Sequence, residues 1–143
     1  MDKKLTEKAS SLIEKTIGIS QSKQDLMEEI RKMINDVARR MKETGFIGKV
    51  LVEVDCEQAY ADIARTIGVI GYRIKSIHYE ASENSSRFYC STNNKVVPVI
   101  DLSPLHMSVF LDHFLELIEK VKEEEEKEFV LLNNAVNKLW GSM

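Results

Sequence analysis

The chain has few cysteines and prolines, and it lacks a long apolar run. Cys56 and Cys90, the two cysteines among 143 residues, are too few for a disulfide framework and lack metal-knuckle spacing. No apolar stretch reaches the roughly 20 residues of a transmembrane helix, and the N-terminal residues lack the apolar core of a signal peptide. We therefore expect a cytoplasmic protein of ordinary globular composition with reduced thiols.

Strong positive charge is also missing. The net charge is −3, and it runs from +2 over residues 1–45 through −1 over residues 46–101 to −4 over residues 102–143. No segment therefore has the positive field that non-specific phosphate binding requires. We expect neither a nucleic-acid partner nor a membrane partner.

The usual signatures of catalysis and metal binding are absent. The sequence has no glycine-rich phosphate loop and no nucleophile-elbow motif. Of its three histidines, His78, His106 and His113, the last two would share a helix face at a spacing of seven, whereas helical metal sites use about three or four. We therefore predict no catalytic residue, no metal and no cofactor, and a protein that is not an enzyme.

What is present predicts one α+β domain in three parts: N-terminal helices in residues 1–45, a βαβββ core in residues 46–101 and a long helix in residues 103–140. In the first part, apolar residues at helical spacing stop at Gly18. Ser20 or Ser22 can cap a second helix, and Gly45 supplies its C-terminal stop. The pattern leaves open whether these residues form one bent helix or a helical hairpin.

The core begins with residues 49–54, a β-branched run that predicts a strand buried on much of both faces. Residues 72–80, 88–92 and 96–100 read as further strands. The dipeptide Asn93-Asn94 tolerates the positive φ of a tight hairpin turn, and Pro98 predicts an edge strand or a bulge. Between the first two strands, a one-sided helix is predicted to be closed by Gly68 and Gly71; its apolar positions are Tyr60, Ile63, Ala64 and Ile67.

The C-terminal helix is predicted to start with Ser103 as its cap and Pro104 as its first residue. After the polar stretch of residues 122–128, apolar residues resume at helical spacing. We predict that this segment mediates self-association or docking of a protein partner; its residues are Phe129, Leu132, Val136, Leu139 and Trp140. A final strand at residues 129–132 is the alternative.

Residues 49–80 run strand, helix, strand, and resemble the opening of the ACT domain, a ferredoxin-like regulatory module. The likeness lies in the Val-rich strand ending at Asp55, the helix of residues 59–63, Gly71, and the strand phrase of residues 74–77. Residues 87–91 match the third strand of the family. The resemblance covers residues 49–91, and it implies a ferredoxin-like or ACT-like small antiparallel sheet with a regulatory, ligand-binding role.

Two positions depart from the family pattern. Amino-acid-binding ACT domains usually have glycine where Gln58 stands and often have asparagine where Arg73 stands. The candidate ligand site is the turn of residues 55–59 facing residues 71–73, where Arg73 favours an anionic group. The residues assigned to this site are Asp55, Cys56, Gln58, Ala59, Gly71 and Arg73.

The sequence thus predicts a homo-oligomeric, non-catalytic regulatory protein with a candidate small anionic ligand. One alternative is a protein-interaction adaptor or chaperone-like dimer without a small ligand. The second is a single-stranded nucleic-acid binder that uses a mixture of aromatic and basic side chains on the sheet. That mixture comprises Tyr72, Arg73, Lys75, Tyr79, Arg87, Phe88 and Tyr89.

Overall fold

The computed structural model describes residues 2–67 and 71–142. The chain forms two compact units, Met1–Asp36 and Val37–Met143. The elements in chain order are helix α1 (Lys3–Met41), strand β1 (Gly48–Glu53), helix α2 (Cys56–Ile67), strands β2 (Ser76–Ala81), β3 (Ser86–Ser91) and β4 (Val96–Pro98), and helix α3 (Pro104–Gly141). Gly68, predicted to close the second helix, lies outside the described residues, as do the side chains of Ala64 and Ile67.

The predicted α+β class is confirmed: a small antiparallel sheet is accompanied by long N-terminal and C-terminal helices. The four strands lie in sequential order β1-β2-β3-β4, and every neighbouring pair is antiparallel. α2 therefore connects two strands that are direct neighbours. In a split βαβ unit, by contrast, the two strands joined by the helix are parallel with another strand between them.

Of the arrangements that the sequence leaves open for residues 1–45, the structure has a single helix. α1 runs without interruption from Lys3 to Met41, so the helix does not stop at Gly18, and neither Ser20 nor Ser22 caps a second helix. An isolated glycine weakens a helix by only about 1 kcal/mol relative to alanine, and no proline follows to block the backbone hydrogen bonds. Gly45 does end the helical segment, after a short 3-10 turn, with a left-handed φ of 72°.

β1 is buried on one face only, which corrects the prediction of two buried faces. Val50 and Val52 are buried, whereas Lys49, Leu51 and Glu53 are exposed. Such strict alternation along β1 is typical of an antiparallel sheet strand that is covered by a helix on one face and exposed on the other. α3 supplies much of that cover, since it packs along β1 and β2.

The core of the second unit lies between the sheet and the first half of α3. The ring of Phe88 on β3 packs edge-on against Phe110 and Phe114 of α3, with centroids 6.2 and 5.1 Å away. Tyr79 on the neighbouring strand lies 4.9 Å from Phe88. Burial of these aromatic rings contributes apolar stabilisation to this unit. Val121 is the last buried residue of α3.

The β3–β4 hairpin has a turn of a different kind from the predicted one. Neither Asn93 nor Asn94 has a positive φ. Instead, the Thr92 hydroxyl accepts hydrogen bonds from the backbone N–H groups of Asn94 and Lys95, and Thr92 N donates to Lys95 O at 2.9 Å. The Thr92 hydroxyl therefore stabilises this turn without a residue in the left-handed conformation. Pro98 lies on β4, an edge strand, as predicted.

α3 starts and continues as predicted. The Ser103 side chain accepts a hydrogen bond from His106 N, and Pro104 is the first helical residue. The helix extends to Gly141, so residues 129–132 are helical and the alternative strand is not formed. In the part of the chain that the structure describes, no helix is both long enough and apolar enough to cross a membrane.

Candidate functional site

A cavity of about 530 Å³ lies beside the start of α2, and we call it the α2 cleft. It is formed where the first turn of α2, the segment that leads into β2, and the β3–β4 turn come together. Lys75 N donates to Ser91 O at 2.8 Å, and Val54 N donates to Lys75 O at the same distance, so the sheet holds these segments in register. The cleft is lined by Cys56, Glu57, Gly71, Tyr72, Arg73, Lys75, Thr92, Asn93 and Asn94.

The first turn of α2 is fixed by its own cap. Asp55 Oδ1 accepts a hydrogen bond from Gln58 N at 3.2 Å, and Asp55 O accepts one from Ala59 N at 2.8 Å. Asp55 therefore serves as the helix cap, which orients its carboxylate toward α2 and not toward a ligand. Cys56 Sγ donates to Ile74 O at 3.1 Å and joins α2 to the opposite side of the cleft.

A buried hydrogen-bond network supports the cleft from α3. The Tyr60 hydroxyl lies 2.9 Å from Nδ1 of His106 and accepts a hydrogen bond from Ile74 N at 3.1 Å. Burial raises the pKa of Tyr60 to about 12, although the hydrogen bond from Ile74 N opposes this shift. The phenol therefore stays protonated at neutral pH, and it is a structural link between α2, α3 and residues 71–75.

Tyr72 forms the wall between this network and the cleft. Its ring is stacked on the His106 imidazole, with centroids 4.0 Å apart and planes 17° apart. Lys95 Nζ lies 4.9 Å from the centroid of the Tyr72 ring, a cation–π contact. Burial is the largest of the effects that raise the pKa of Tyr72. The wall therefore combines a neutral aromatic ring with a cation at its rim.

Two of the three charged residues that line the cleft are basic. Arg73 and Lys75 line it, Lys95 lies beside Tyr72, and Glu57 is the one carboxylate among the described lining residues. Arg73 and Lys75 are exposed, so their charged groups are hydrated. Asn93 and Asn94 add neutral donors on the side of the β3–β4 turn, whereas the Thr92 hydroxyl donates to Lys95 O within the turn.

The structure brings together three of the six residues predicted for the ligand site. Cys56, Gly71 and Arg73 line the α2 cleft; Gly71 has a φ of 81°, a conformation that favours glycine. Asp55, Gln58 and Ala59 are not among the lining residues. They belong to the helix cap and first turn of α2, and their hydrogen bonds are made within that turn.

Sequence reasoning missed the contribution of the β3–β4 turn and of Lys75. Both depend on the pairing of β3 with β2, which places residues 92–94 beside a segment about 20 positions earlier. The Ser/Thr-turn pattern at Thr92 indicates a turn, but it does not indicate which segment of the chain the turn lies beside.

The predicted association segment is fully helical and largely exposed. Phe129 and Trp140 expose 68% and 69% of their surface, Leu132 and Leu139 are similarly exposed, and Val136 is half-buried. The residues predicted for a nucleic-acid platform are dispersed. Tyr79 and Phe88 lie in the core, whereas Arg87 and Tyr89 face the opposite side of the sheet.

That opposite side of the sheet carries a compact aromatic and charged cluster. The rings of His78 and Tyr89 are stacked with centroids 4.7 Å apart and planes 3° apart. Lys49 Nζ and Arg87 Cζ lie 5.5 and 4.8 Å from the Tyr89 centroid. The three histidines do not form a metal site: the described residues contain no group of three or more His, Cys, Asp or Glu side chains placed to hold a metal ion.

Comparison with known proteins gave no relative. No family model, no curated protein and no solved structure matches the chain.

Proposed function

We propose that this chain is a non-catalytic, self-associating binding protein that holds a small anionic ligand in the α2 cleft. The observation that carries the proposal is the convergence of Arg73 and Lys75 on a cavity of about 530 Å³, whose described lining includes one opposing carboxylate. Cavities that bind small metabolites commonly measure about 300 to 1,000 Å³. The volume and the charge both suit a small carboxylate or phosphate compound.

The donors around the cleft suit an anion in particular. The Arg73 guanidinium can form paired, charge-assisted hydrogen bonds to a carboxylate or phosphate, and Lys75 adds a second positive charge. Asn93 and Asn94 can orient the neutral part of the ligand. Among the described lining residues no nucleophile is paired with a base, which supports binding as the role of the cleft.

The regulatory part of the proposal draws on the resemblance of residues 49–91 to ACT domains. The amino-acid site of that family is not carried over, because Gln58 and Arg73 replace its usual residues and the strands here are in sequential order. Tyr72 gives a physical route for regulation, since this wall of the cleft is stacked on His106 of α3. A ligand that moves Tyr72 acts directly on α3.

The ligand proposal is tested by titrating inorganic phosphate and citrate into the isotope-labelled full chain and following the amide signals of Gly71, Asn93 and Asn94. We expect saturable shifts confined to the cleft and at least tenfold weaker binding in Arg73→Ala. Arg87→Ala is the matched control, because Arg87 is also exposed but lies on the opposite face of the sheet. Equal affinity in Arg73→Ala and the control would show that the cleft does not bind anions.

The self-association part rests on the second half of α3. Beyond Val121 this helix has no buried residue, yet it exposes large apolar side chains, and exposed apolar surface of this extent marks an interaction site. We assign a second copy of this chain as the occupant. Residues 122–141 carry a net charge of −2 and residues 1–24 carry +2, and both segments expose apolar side chains, so α1 of one copy complements α3 of another.

Light scattering of the full chain over a range of concentrations tests this assignment. We expect an oligomer whose mass decreases in Phe129→Ser/Leu132→Ser and is unchanged in Leu115→Ser, a control on the same helix with 79% of its surface exposed. A full chain that stays monomeric at all concentrations would exclude self-association. That result would favour the second candidate function, an adaptor whose α3 segment binds a different protein.

A further inference from the structure

One side of α1 carries an exposed apolar stripe with a strict period of seven residues, which we call the α1 stripe. Its members expose between 41% and 69% of their surface; they are Leu5, Leu12, Ile19, Leu26 and Met33. Met27 and Ile34, which each follow a stripe residue directly, are buried, so folding of the chain covers the neighbouring side of α1 and leaves the stripe exposed. An apolar period of seven residues, sustained over five positions, is typical of a helix that winds around a second helix.

A second set of positions completes this contact surface. In the seven-residue repeat of a coiled coil, written a to g, the α1 stripe takes the d positions, and the residues four places after each stripe member take the a positions. Within residues 5–33 the a residues are Ala9, Thr16, Lys23 and Ile30. Three of them suit an enclosed contact between helices, whereas Lys23 is charged. A single charged residue at an a position determines the direction and register of pairing.

Lys23 favours antiparallel pairing with a second copy of the same helix. In a parallel pair each a residue meets its own counterpart, so two Lys23 ammonium groups would be adjacent. In an antiparallel pair a residues meet d residues, and a twofold axis near residue 21 places Lys23 opposite Ile19. The methylene stem of the lysine then covers the isoleucine while its ammonium group stays in water. The same axis pairs Thr16 with Leu26, Leu12 with Ile30 and Ala9 with Met33.

The charges along the edge of the α1 stripe favour the same direction. The g positions, immediately before the a residues, change from basic to acidic along the helix; they are Lys8, Lys15, Ser22, Glu29 and Asp36. In the antiparallel register Lys15 of one copy lies beside Glu29 of the other, and Lys8 lies beside Asp36. Each of these contacts occurs twice because of the twofold axis. Opposite charges at the edges of a coiled coil set the orientation of its helices.

We propose that two copies of the chain pair through α1 and form an antiparallel coiled coil centred near residue 21. This proposal rests on the self-association part of the proposed function and deepens it, because it adds a contact of α1 with α1 to the contact of α1 with α3. The two contacts use different sides of α1. Ile13 and Ile17, which expose 59% and 53% of their surface, lie roughly 100° and 140° around the helix axis from Leu12 and stay accessible to α3.

Disulfide cross-linking of the full chain tests the pairing and its direction together. Thr16→Cys and Leu26→Cys are made separately in a Cys56→Ser background, and one protein is labelled with nitrogen-15 so that mass spectrometry identifies mixed dimers. Because residue 16 of one copy lies opposite residue 26 of the other, we expect a mixed disulfide under mild oxidation. Its formation should be about tenfold faster or more than in a control mixture of Gln21→Cys with Leu26→Cys, since Gln21 is exposed on the side of α1 opposite to the stripe.

Each cysteine variant by itself tests the direction of the helices. In the antiparallel register the two copies of residue 16, like those of residue 26, are about 15 Å apart along the helix axis, which is beyond the reach of a disulfide. Neither variant should therefore cross-link quickly without the other. Rapid cross-linking of either variant alone would indicate parallel helices and overturn the proposal, as would a mixed disulfide that forms no faster than in the Gln21→Cys control.

Charge reversal then tests the register. Lys15→Glu and Glu29→Lys each place like charges side by side twice in the dimer, so each is expected to raise the dissociation constant about fivefold or more. The double variant Lys15→Glu/Glu29→Lys restores opposite charges and should restore the dissociation constant. Light scattering over a dilution series measures all three variants. A double variant that dissociates as readily as the single variants would overturn the register.

The outcomes separate this interface from the proposed function. An oligomer whose mass decreases in Phe129→Ser/Leu132→Ser, but which forms no rapid mixed disulfide, would overturn the α1 pairing and leave association through α3 in place. A chain that is monomeric at every concentration would overturn both. Circular dichroism confirms that each variant is folded, which we expect because every substituted position on α1 is exposed.

Discussion

The hydroxyl oxygen of Tyr60 on α2 lies 2.9 Å from Nδ1 of His106 on α3, and both residues are buried. The same oxygen accepts the N–H of Ile74. One phenol therefore satisfies polar atoms from two other segments. A buried polar atom that loses its partner carries its full desolvation penalty, so this contact has a measurable consequence.

Tyr60→Phe is expected to lower the free energy of unfolding by about 1 to 3 kcal/mol, because it leaves Ile74 N without its partner and removes the hydroxyl from His106 Nδ1. The measurement is urea unfolding of both proteins. Tyr72→Phe is the control: its hydroxyl makes no hydrogen bond within the described residues, so we expect a change within about 0.5 kcal/mol. Similar losses in both variants would contradict this account.

His78 is expected to make stability depend on pH. Its Nε2 lies 2.7 Å from the Ser76 hydroxyl, but its buried Nδ1 has no hydrogen-bond partner among the described residues. Burial, together with the charge of Lys49, lowers the pKa of His78 below 6.5, while Glu80 opposes this shift. His78 therefore binds a proton more readily in the unfolded chain than in the folded chain. Its contribution to the free energy of unfolding is fully present above pH 6.5, and it is lost as the pH falls through the folded-state pKa.

The slope from this one proton is at most about 1.4 kcal/mol per pH unit. Urea unfolding at a series of pH values from 7.5 downward would measure it, and His78→Gln should flatten the profile near pH 6. His113→Gln is the control, because that half-exposed imidazole bonds only within its own helix, to Val109 O. A profile unchanged by His78→Gln would contradict the prediction.

The two thiols are expected to differ in reactivity. Burial raises the pKa of Cys90 to about 12, and its side chain is fully enclosed, so it should not react with an aromatic disulfide reagent at pH 8. Cys56 is half-buried beside the cleft and should react. We expect one thiol per native chain, two in denaturant, and none in native Cys56→Ser; a rapid reaction in that variant would show that Cys90 is accessible.

Two glycines are expected to respond to alanine with opposite signs. Gly18 is inside α1 with open space around its Cα, so Gly18→Ala should stabilise the helix by about 0.5 to 1 kcal/mol. Gly45 has a φ of 72°, so Gly45→Ala should destabilise by about 1 to 2 kcal/mol. Thermal melting followed by far-UV circular dichroism compares the two, and changes of the same sign would contradict the helix assignments.

The sequence predicted the fold well where a local rule is strong. Ser103 and Pro104 define a helix start by cap chemistry alone, and Pro98 is restricted to an edge because it has no N–H to donate. The predictions failed where two weak signals competed. The apolar spacing that ends at Gly18 indicates a stop, yet one glycine does not overcome the hydrogen bonds of a 39-residue helix.

The candidate site was predictable only on its α2 side. Cys56, Gly71 and Arg73 were found because they flank a predicted helix and strand that are close in sequence. Asn93 and Asn94 reach the cleft through the pairing of β2 with β3, and this register depends on the whole sheet. The exposed half of α3 was predicted as an association segment from its apolar spacing, and its partner stays a prediction.

α3 is one uninterrupted helix that runs from the residue stacked on the Tyr72 wall of the cleft to the C-terminal segment. His106, on which Tyr72 is stacked, is in its first turn, and Trp140 is in its last. At a rise of about 1.5 Å per residue, the two are roughly 50 Å apart, so a tilt of about 5° at the cleft displaces the tip by about 4 Å. The helix thus has the geometry of a lever, in which an ångström-scale adjustment beside the cleft becomes a displacement as large as a side-chain contact at the other end.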